Sequence, residues 1–537
     1  MTPRGNEPTH QRSSRAVWFC LALVLAVTAW VRLGLIDVPL ERDEGEYAYV
    51  AQRMLAGEAP YAGAYTLKWP GTHAAYAVSM LCFGESPGGI RSGLLLVNAA
   101  TLALVFGLTR RHAGSWAGVA AALVYAALST HSAVLGQAGH ATHYVVFCAL
   151  AALAVTPRES AGAPAWRHLL AGVLLGGAIL MKQTGLFFAA FGVAWPLLET
   201  TSDRGVRLRG TGLRALGVLL PIAATFGLLA ALGVFETFWF WTVTYAREYA
   251  TTTVSPEAAL ANLRMAASTV LSPALPLWAL ALLGLVSVLL DPARRTSRAW
   301  VLGLVLVSLL ALLPGLQFRR HYFVLLLPVA ALLTGAGLSS VASRIPGRAG
   351  ALVATLLLLA AVGVTTHADR AFLWSDSPVA TSRALYGTNP FPEAELIARE
   401  IAVRSAPDEE LVVFGSEPEI PFLARRRSAT GFLYVYGLME EHPYAAQMQR
   451  DMIAEVEAAA PAFAVFVETP SSWLQRPESD EHIRTWMREW LNANYVWIGA
   501  VEVLSPTETR SYWDDDTLDY KPRSPNYSLV FRRRDGQ

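Results

Sequence analysis

Apolar runs dominate the first two thirds of the chain. Stretches built mostly from Leu, Ala, Val and Phe recur near residues 16–36, 90–109, 115–130, 143–156, 168–181, 184–198, 214–235, 273–290, 299–316, 321–340 and 349–366. About 18 or more apolar residues with few charges predict a transmembrane helix, because a helix satisfies its own backbone in hydrocarbon. The pattern predicts about eleven spans. Several are shorter than a full crossing, as expected of helices broken or buried inside a bundle. The first run, "AVWFCLALVLAVTAWVRLGLI", is too long for a signal-peptide core, and no small-residue cleavage site follows it. It reads as a retained signal anchor. The stretch "HAAYAVSMLCFG" reads as an interfacial helix or an additional span.

Beyond residue 366 the pattern changes. Helical periodicity in "EAELIAREIAVRSA", "MQRDMIAEVEAAA" and "DEHIRTWMREWLNA" alternates with short strand-like runs, "ELVVFG", "FAVFVE", "YVWIGAVEVL" and "YSLVFRR". This alternation predicts a small α/β layer domain. The expected architecture is therefore an α-helical polytopic membrane protein with a C-terminal soluble α/β domain. A cytoplasmic tail occupies residues 1–15, the transmembrane domain 16–366 with its first outer loop at 37–89, and the soluble domain 367–537.

Charge sets the topology. Only 16% of residues are charged, against 53% hydrophobic; soluble domains carry about 25% charged residues. Residues 1–366 hold 26 basic and 15 acidic residues, and residues 367–537 hold 17 and 27. With the N-terminus inside, the predicted inner loops collect sixteen arginines, among them Arg4, Arg12, Arg15, Arg110, Arg111, Arg158, Arg204, Arg207, Arg209 and Arg294. That is the positive-inside pattern. It turns the first loop outward, and an odd number of spans puts the tail outside as well. The three cysteines, Cys20, Cys82 and Cys148, lie in apolar stretches with no disulfide or zinc spacing. No basic run interleaved with aromatics points to nucleic acid.

The candidate chemistry lies in the outer loops. The first loop reads "LERDEGEYAYVAQRMLAGEAPYAGAYTLKWPG" and places Asp43 and Glu44 just beyond the first span, ahead of a segment that looks helical after Gly45. Adjacent carboxylates at a bilayer edge can deprotonate a hydroxyl; an isolated pair would more often be a loop start with Asp43 as helix cap. The chain has only three lysines, and two of them, Lys68 and Lys182, fall on the outer side of the membrane region. Lys182 sits between two apolar segments, where an ionisable group is a functional hypothesis by default and the bland alternative is snorkelling to the interface. A third group, "LQFRRHYFVLLLP", brings Arg319, Arg320, His321 and Tyr322 to the start of a span, and the loop "SAVLGQAGHATHYV" adds Gln137, His140 and His143. Arginine forks and lysine point charges at one membrane surface suit a phosphate at headgroup depth. A lipid-borne phosphate carrying a sugar meets all of these demands, since its phosphate needs cations, its chain needs membrane and its acceptor hydroxyl needs a base.

In the order "RDEGEYAY", "KWPG", "KQTG" and "RRHYFVLLLP", the chain resembles the C-type membrane glycosyltransferases over roughly residues 16–340. Within them it looks like the family-39 group of protein O-mannosyltransferases and bacterial aminoarabinose lipid A transferases. The resemblance implies a multi-helix bundle, a polyprenyl-phosphate sugar donor, and inverting transfer at the outer surface to a lipid, protein or glycan acceptor. It implies catalytic roles for Asp43 and its neighbour Glu44, and donor-phosphate roles for Lys68, Lys182 and Tyr322, with Arg319 and Arg320 as helpers. Tyr47, His140, His143 and His321 are further candidates for substrate binding. No obligatory cofactor and no metal site are implied; Mg or Mn is compatible with the carboxylates, but lysines and arginines already supply the positive charge. The chain departs from the family at Trp69, where many members have a second proline-stretch residue, at Leu67, where some carry an acid, and at His143. These departures bear on the donor sugar more than on the reaction class. Arginine-rich, lysine-poor composition points to a GC-rich bacterium and hence to a bacterial inner membrane. The alternative is a polytopic transporter or flippase for a lipid-linked substrate, which predicts internal repeats and midplane charges that the sequence does not display.

Overall fold

The computed structural model describes residues 7–156, 163–198, 203–252, 254–291 and 295–534. Arg4, Arg158 and Arg294, counted above among the inner-loop arginines, lie outside the described residues. The chain divides into two compact units. One comprises Met1–Ile36, Arg91–Thr225 and Pro256–Trp374, and the other Asp37–Ile90, Phe226–Ser255 and Ser375–Gln537. The first loop and the C-terminal tail therefore belong to the same unit.

The apolar runs fold as helices. Among the described residues, six are long and apolar enough to cross a membrane: Arg15–Gly34, Pro87–Ala113, Arg204–Ala231, Pro256–Leu290, Arg320–Arg344 and Arg348–Ala368. Five shorter apolar helices join them: Ser115–Thr130, Ala141–Val155, Ala165–Met181, Gly185–Leu198 and Arg298–Leu310. The eleven correspond one for one with the expected spans, and the protein is a polytopic membrane protein. Pro256–Leu290 is bent at a short 3₁₀ turn, Ser272–Ala274, and Arg320–Leu326 is a 3₁₀ segment that leads into the α-helix Leu327–Arg344.

At the centre of the first unit, Leu327–Arg344 packs against Leu275–Leu290, Ser115–Thr130 and Arg348–Ala368. The Arg320–Arg344 span is 78% buried inside the protein, whereas Arg204–Ala231 is 17% buried and offers its leucines to lipid. In a membrane the hydrophobic effect does little to join helices, so close van der Waals packing at small residues must do it. Gly284 shows how: a Cβ there would overlap the Leu333 carbonyl, and its own Cα limits the space at Gly337.

The second unit contains a five-stranded sheet. Its strands are β1 (Leu411–Phe414), β2 (Phe463–Glu468), β3 (Tyr495–Ser505), β4 (Glu508–Trp513) and β5 (Tyr527–Arg533), in the order β1-β2-β5-β3-β4. β1 and β2 run parallel and the other pairs antiparallel. Buried side chains of β1, β2 and β5 (Val413, Val465 and Val530) pack with Ile397 and Ile401 of the helix Phe391–Arg404. On the other side, Val412 and Phe414 meet Met452 and Met487 of the helices Ala445–Ala459 and His482–Asn494. Four of the five strands and all three helices match the expected pattern. β4, "ETRSYW", has mostly polar, part-exposed residues and pairs only with β3, so it carries no apolar alternation to announce it. Trp473 is buried, with its indole N–H donating to the Val467 carbonyl (2.8 Å), in keeping with a packing role. The segment "HAAYAVSMLCFG" lies in the helix Pro70–Phe83. Fourteen residues make about 21 Å, too short for the ~30 Å hydrocarbon core, and its exposed Val78 and Leu81 suit an interfacial helix.

The Gly284 contact yields a test. Gly284→Val should destabilise the bundle by about 1–3 kcal/mol, seen as a lower melting temperature in detergent. Gly363→Val, at a position with nothing within 4 Å, should leave it unchanged.

Candidate active site

The helix Arg42–Leu55 carries the acidic motif, and its start is set by a capping box. Glu41 is the N-cap: its Oε1 accepts from the Glu44 N–H (3.0 Å), and Glu44 Oε2 accepts from the Glu41 N–H (3.4 Å). The reciprocal pair satisfies two amides at the helix start. The helix thus begins at Arg42, not after Gly45, and Glu41, not Asp43, is the cap. Glu44 is buried in this arrangement, whereas the Asp43 side chain keeps 24% of its surface exposed.

Residues of the tail seat this helix. Arg42 Nη2 pairs with Glu417 Oε1 at 2.7 Å, and its Nε donates to the Ser416 carbonyl. Its guanidinium lies over the rings of Phe391 (5.5 Å) and Tyr436 (5.6 Å). Gly45 abuts the helix Glu419–Ala424, where a Cβ would come within 2.7 Å of the Glu419 nitrogen. The Tyr65 N–H donates to the Gly431 carbonyl (2.7 Å) and its hydroxyl to Glu455 (2.7 Å), tying down the segment that leads to Lys68.

Around the acidic turn, Lys68 Nζ stands 3.8 Å from Asp43 Oδ2 and 5.3 Å from the centre of the Tyr47 ring. Tyr47 is buried and packs edge-on against Tyr76 and His73. One turn beyond Asp43 lies Glu46, 1% exposed. The Tyr434 hydroxyl stands 3.0 Å from Glu46 Oε2, 3.3 Å from Asp43 Oδ1 and 3.1 Å from the Arg42 carbonyl. Burial pushes the Glu46 carboxyl up to about 7; the Lys68 ammonium opposes this, Asp43 adds to it, and the Thr66 and Tyr434 hydroxyls oppose it. Burial also raises Glu41 well above the carboxylate range, reinforced by Asp43 and Glu44. The Tyr434 phenol is raised by burial and by the neighbouring Glu46 and Asp43, so it remains a donor.

A second group forms within the other unit. Lys182 ends the helix Ala165–Met181 in extended conformation (φ −160°, ψ 144°). Its Nζ lies 3.9 Å from the centre of the Tyr322 ring, a close cation–π contact. His321 meets Tyr322 edge-on (4.8 Å) and stacks on His140 (3.9 Å, 14°). The Thr142 hydroxyl donates to the His321 carbonyl (3.1 Å). Arg320 turns onto the 3₁₀ turn Ser132–Val134, donating to the Ala133 carbonyl (3.1 Å) and the Ser132 carbonyl. Arg319 is exposed, and His143 is buried at the start of Ala141–Val155. Gln137 is taken up by Arg32: it donates to the Arg32 carbonyl (2.9 Å), while the Arg32 guanidinium holds the Gly136 and Ser129 carbonyls (3.0 and 2.8 Å).

The structure thus joins Asp43, Lys68 and Tyr47 with Glu46 in one unit, and Lys182, Tyr322, His321 and His140 in the other. Residues 68–241 match the family described as dolichyl-phosphate-mannose-protein mannosyltransferase. The chain has a C-type glycosyltransferase fold. Among solved structures, it is similar to ArnT from Cupriavidus metallidurans bound to undecaprenyl phosphate, at 17% identity and a TM-score of 0.63, with 95% of this chain and 97% of that chain covered. It is also similar to the oligosaccharyltransferase of Archaeoglobus fulgidus in the apo form, at 15% identity and a TM-score of 0.52, covering 96% and 76% of the two chains. The same archaeal enzyme in complex with an inhibitory peptide and a dolichol-phosphate matches at 14% identity, a TM-score of 0.52 and the same coverage. No curated protein matches the chain in sequence. At these identities the structural likeness is one of fold.

Two side chains beside Asp43 stand out that the motif reading did not assign to the site. Glu46 was legible in principle, since it lies three residues after Asp43 and a helix brings such positions to one face. Tyr434 gave no signal, being 391 residues away in sequence.

The Glu46 environment gives a signed pH dependence. Its carboxyl holds a proton in the native state to about pH 7 but in the unfolded chain only to about 4.3. Between those values the unfolded state binds fewer protons, so stability falls as pH rises. The loss is on the order of 3 kcal/mol across the window. Melting curves of the wild-type protein from pH 5 to 7.5 should therefore decline more steeply than those of Glu46→Gln.

Proposed function

We propose that the protein is an inverting glycosyltransferase that moves a sugar from a polyprenyl-phosphate donor to a lipid, protein or glycan acceptor at the outer face of a bacterial inner membrane. The observation that carries this reading is the Asp43 carboxylate beside the Lys68 ammonium at 3.8 Å, in a chain with this fold and with a family match that begins at Lys68. The lipid phosphates bound to the Cupriavidus and Archaeoglobus proteins support the donor class. The arginine-rich predicted inner loops support a cytoplasmic N-terminus and an extracytoplasmic tail.

In this reading an acceptor hydroxyl attacks the anomeric carbon from the face opposite the phosphate. The new C–O bond forms as the bond to the phosphate oxygen breaks, and the electron pair leaves with the lipid phosphate monoester. Asp43 takes or aligns the hydroxyl proton, typically worth about 10²–10⁴ in rate. Lys68 and Lys182, the latter held on the Tyr322 ring, meet the charge that grows on the leaving phosphate, where stabilisation acts on the transition state. His321, edge-on to Tyr322 and stacked on His140, flanks the ring that holds Lys182. The reaction needs no metal for charge, and Mg or Mn is an optional addition.

Purified protein incubated with radiolabelled polyprenyl-phosphate sugars and membrane extract should yield a labelled acceptor whose identification names the product. Absence of any labelled product across hexosyl and pentosyl donors would overturn the reading. Asp43→Asn should keep its fold and lose transfer by about 10²–10⁴. Lys182→Ala should raise the KM for donor on the order of tenfold while leaving that for acceptor near wild type, the signature of a lost phosphate contact worth ~1.4 kcal/mol. An equal rise for both substrates would remove Lys182 from the phosphate site.

A further inference from the structure

The acidic turn contains more carboxylate than a single base requires, and the tail answers it with one phenol. Tyr434 has one proton to donate and three oxygens within reach, on Arg42, Asp43 and Glu46. If Asp43 and Glu46 were both ionised they would compete for that one proton, and Glu46, 1% exposed where Asp43 keeps solvent and Lys68, would be the buried anion left without it when Tyr434 turns to Asp43. One arrangement pairs both carboxyls through the phenol: Glu46 is protonated and donates from Oε2 to the Tyr434 oxygen, and Tyr434 donates to Asp43 Oδ1. The other Asp43 oxygen, Oδ2, then faces Lys68 at 3.8 Å. Such a chain of donors strengthens each bond in turn.

We propose that Glu46 and Tyr434 are positioning residues for Asp43, forming a directed chain Glu46→Tyr434→Asp43 by which the C-terminal domain fixes the plane and charge of the carboxylate. The inference rests on the reading of Asp43 as the acceptor-side base. It makes the tail a constituent of the active site in addition to any role in acceptor recognition. The groups that face Glu46 are Asp43 and Tyr47 on its own helix, Tyr61, Thr66 and Lys68 from the rest of the first loop, and Tyr434 from the tail. Lys68 is the only cation among these six. Burial keeps the proton on Glu46 up to about pH 7. Above that pH Glu46 becomes an acceptor and competes with Asp43 for the Tyr434 proton, so the chain reverses at its first link. A glutamine at position 46 would supply a permanent N–H donor and hold the chain in its forward direction.

Two measurements test the proposal. In the first, infrared spectra of the purified protein at pH 6 should contain the C=O band of a protonated buried carboxylic acid. Glu46→Gln should remove the Glu46 component of that band, leaving the contribution of other buried carboxyls such as Glu41, and Tyr434→Phe should shift the same component. A band unchanged by Glu46→Gln, or a Glu46 component indifferent to Tyr434→Phe, overturns the chain whether or not the protein transfers sugar. In the second, Tyr434→Phe should lower kcat on the order of 10- to 100-fold, the scale expected when a reacting group is slightly misplaced, with donor KM within about twofold. Wild-type kcat should fall above pH 7, and Glu46→Gln should hold its kcat flat through the same range. Tyr49→Phe, which removes the acceptor of the Ser428 N–H (2.7 Å), a comparable loop-to-tail hydrogen bond farther along the helix, should lower melting temperature and leave kcat unchanged. Wild-type kcat in Tyr434→Phe, or the same high-pH decline in Glu46→Gln, would overturn the proposal. Failure of the wild-type protein to transfer any sugar would instead overturn the glycosyltransferase reading, with the infrared result still deciding the chain.

Discussion

The burial of acid at the start of the Arg42–Leu55 helix is the constraint around which the second unit is built. Glu41, Glu44 and Glu46 are all removed from water within six residues, and each needs a partner or a proton. The helix start supplies part of the answer, since the capping box turns Glu41 and Glu44 onto backbone amides. The tail supplies the rest. Glu417 and the Ser416 carbonyl hold Arg42, Gly45 lets the helix approach Glu419 closely, and Tyr434 reaches the remaining carboxylates. The helix and the tail are thus mutually dependent, and a change that loosens Arg42 from Glu417 strands a charge on each side, the costly way to break a buried pair.

The same logic explains why the acid is graded. Asp43 retains solvent and a nearby ammonium, both of which favour its ionised form. Glu46, one turn away, has lost its solvent and keeps a proton to near neutrality. Two carboxyls on one helical face are thereby set to different states by environment, the arrangement that separates a base from its support in many acid–base sites. In the other unit positive charge is treated differently. Lys182 lies on an aromatic face and Arg320 is held by backbone carbonyls.

The membrane bundle follows a simpler physics. Its helices are apolar nearly all round, so their contacts are decided by how closely backbones approach and not by which face is greasy. Gly284 against Leu333 is the clearest case. The short helices, too brief to cross alone, are accommodated beside the longer ones, as Ser115–Thr130 and Ala141–Val155 illustrate. Arg32, almost fully buried near the end of the first span, is held through its two terminal nitrogens by the carbonyls of Ser129 and Gly136. An arginine there is tolerated because local backbone irregularity presents free acceptors.

Much of this was legible in the residues alone. Apolar run length determined the eleven helices, because a backbone in hydrocarbon has few other ways to satisfy itself. Period and β-branching determined four strands and three helices of the tail, and the order of motifs along the chain indicated the fold and the candidate Asp43, Lys68 and Lys182. What escaped was of two kinds. β4 escaped because an edge strand with polar side chains has no amphipathic signature. Arg42 as the clamped residue, the proton on Glu46 and the whole contribution of Tyr434 escaped because they depend on contacts between residues some 375–391 positions apart and on burial that only those contacts create. Local pattern fixes which segments can be helix or strand; the ionisation and aim of a side chain are set by what lies against it, and only the folded chain decides that.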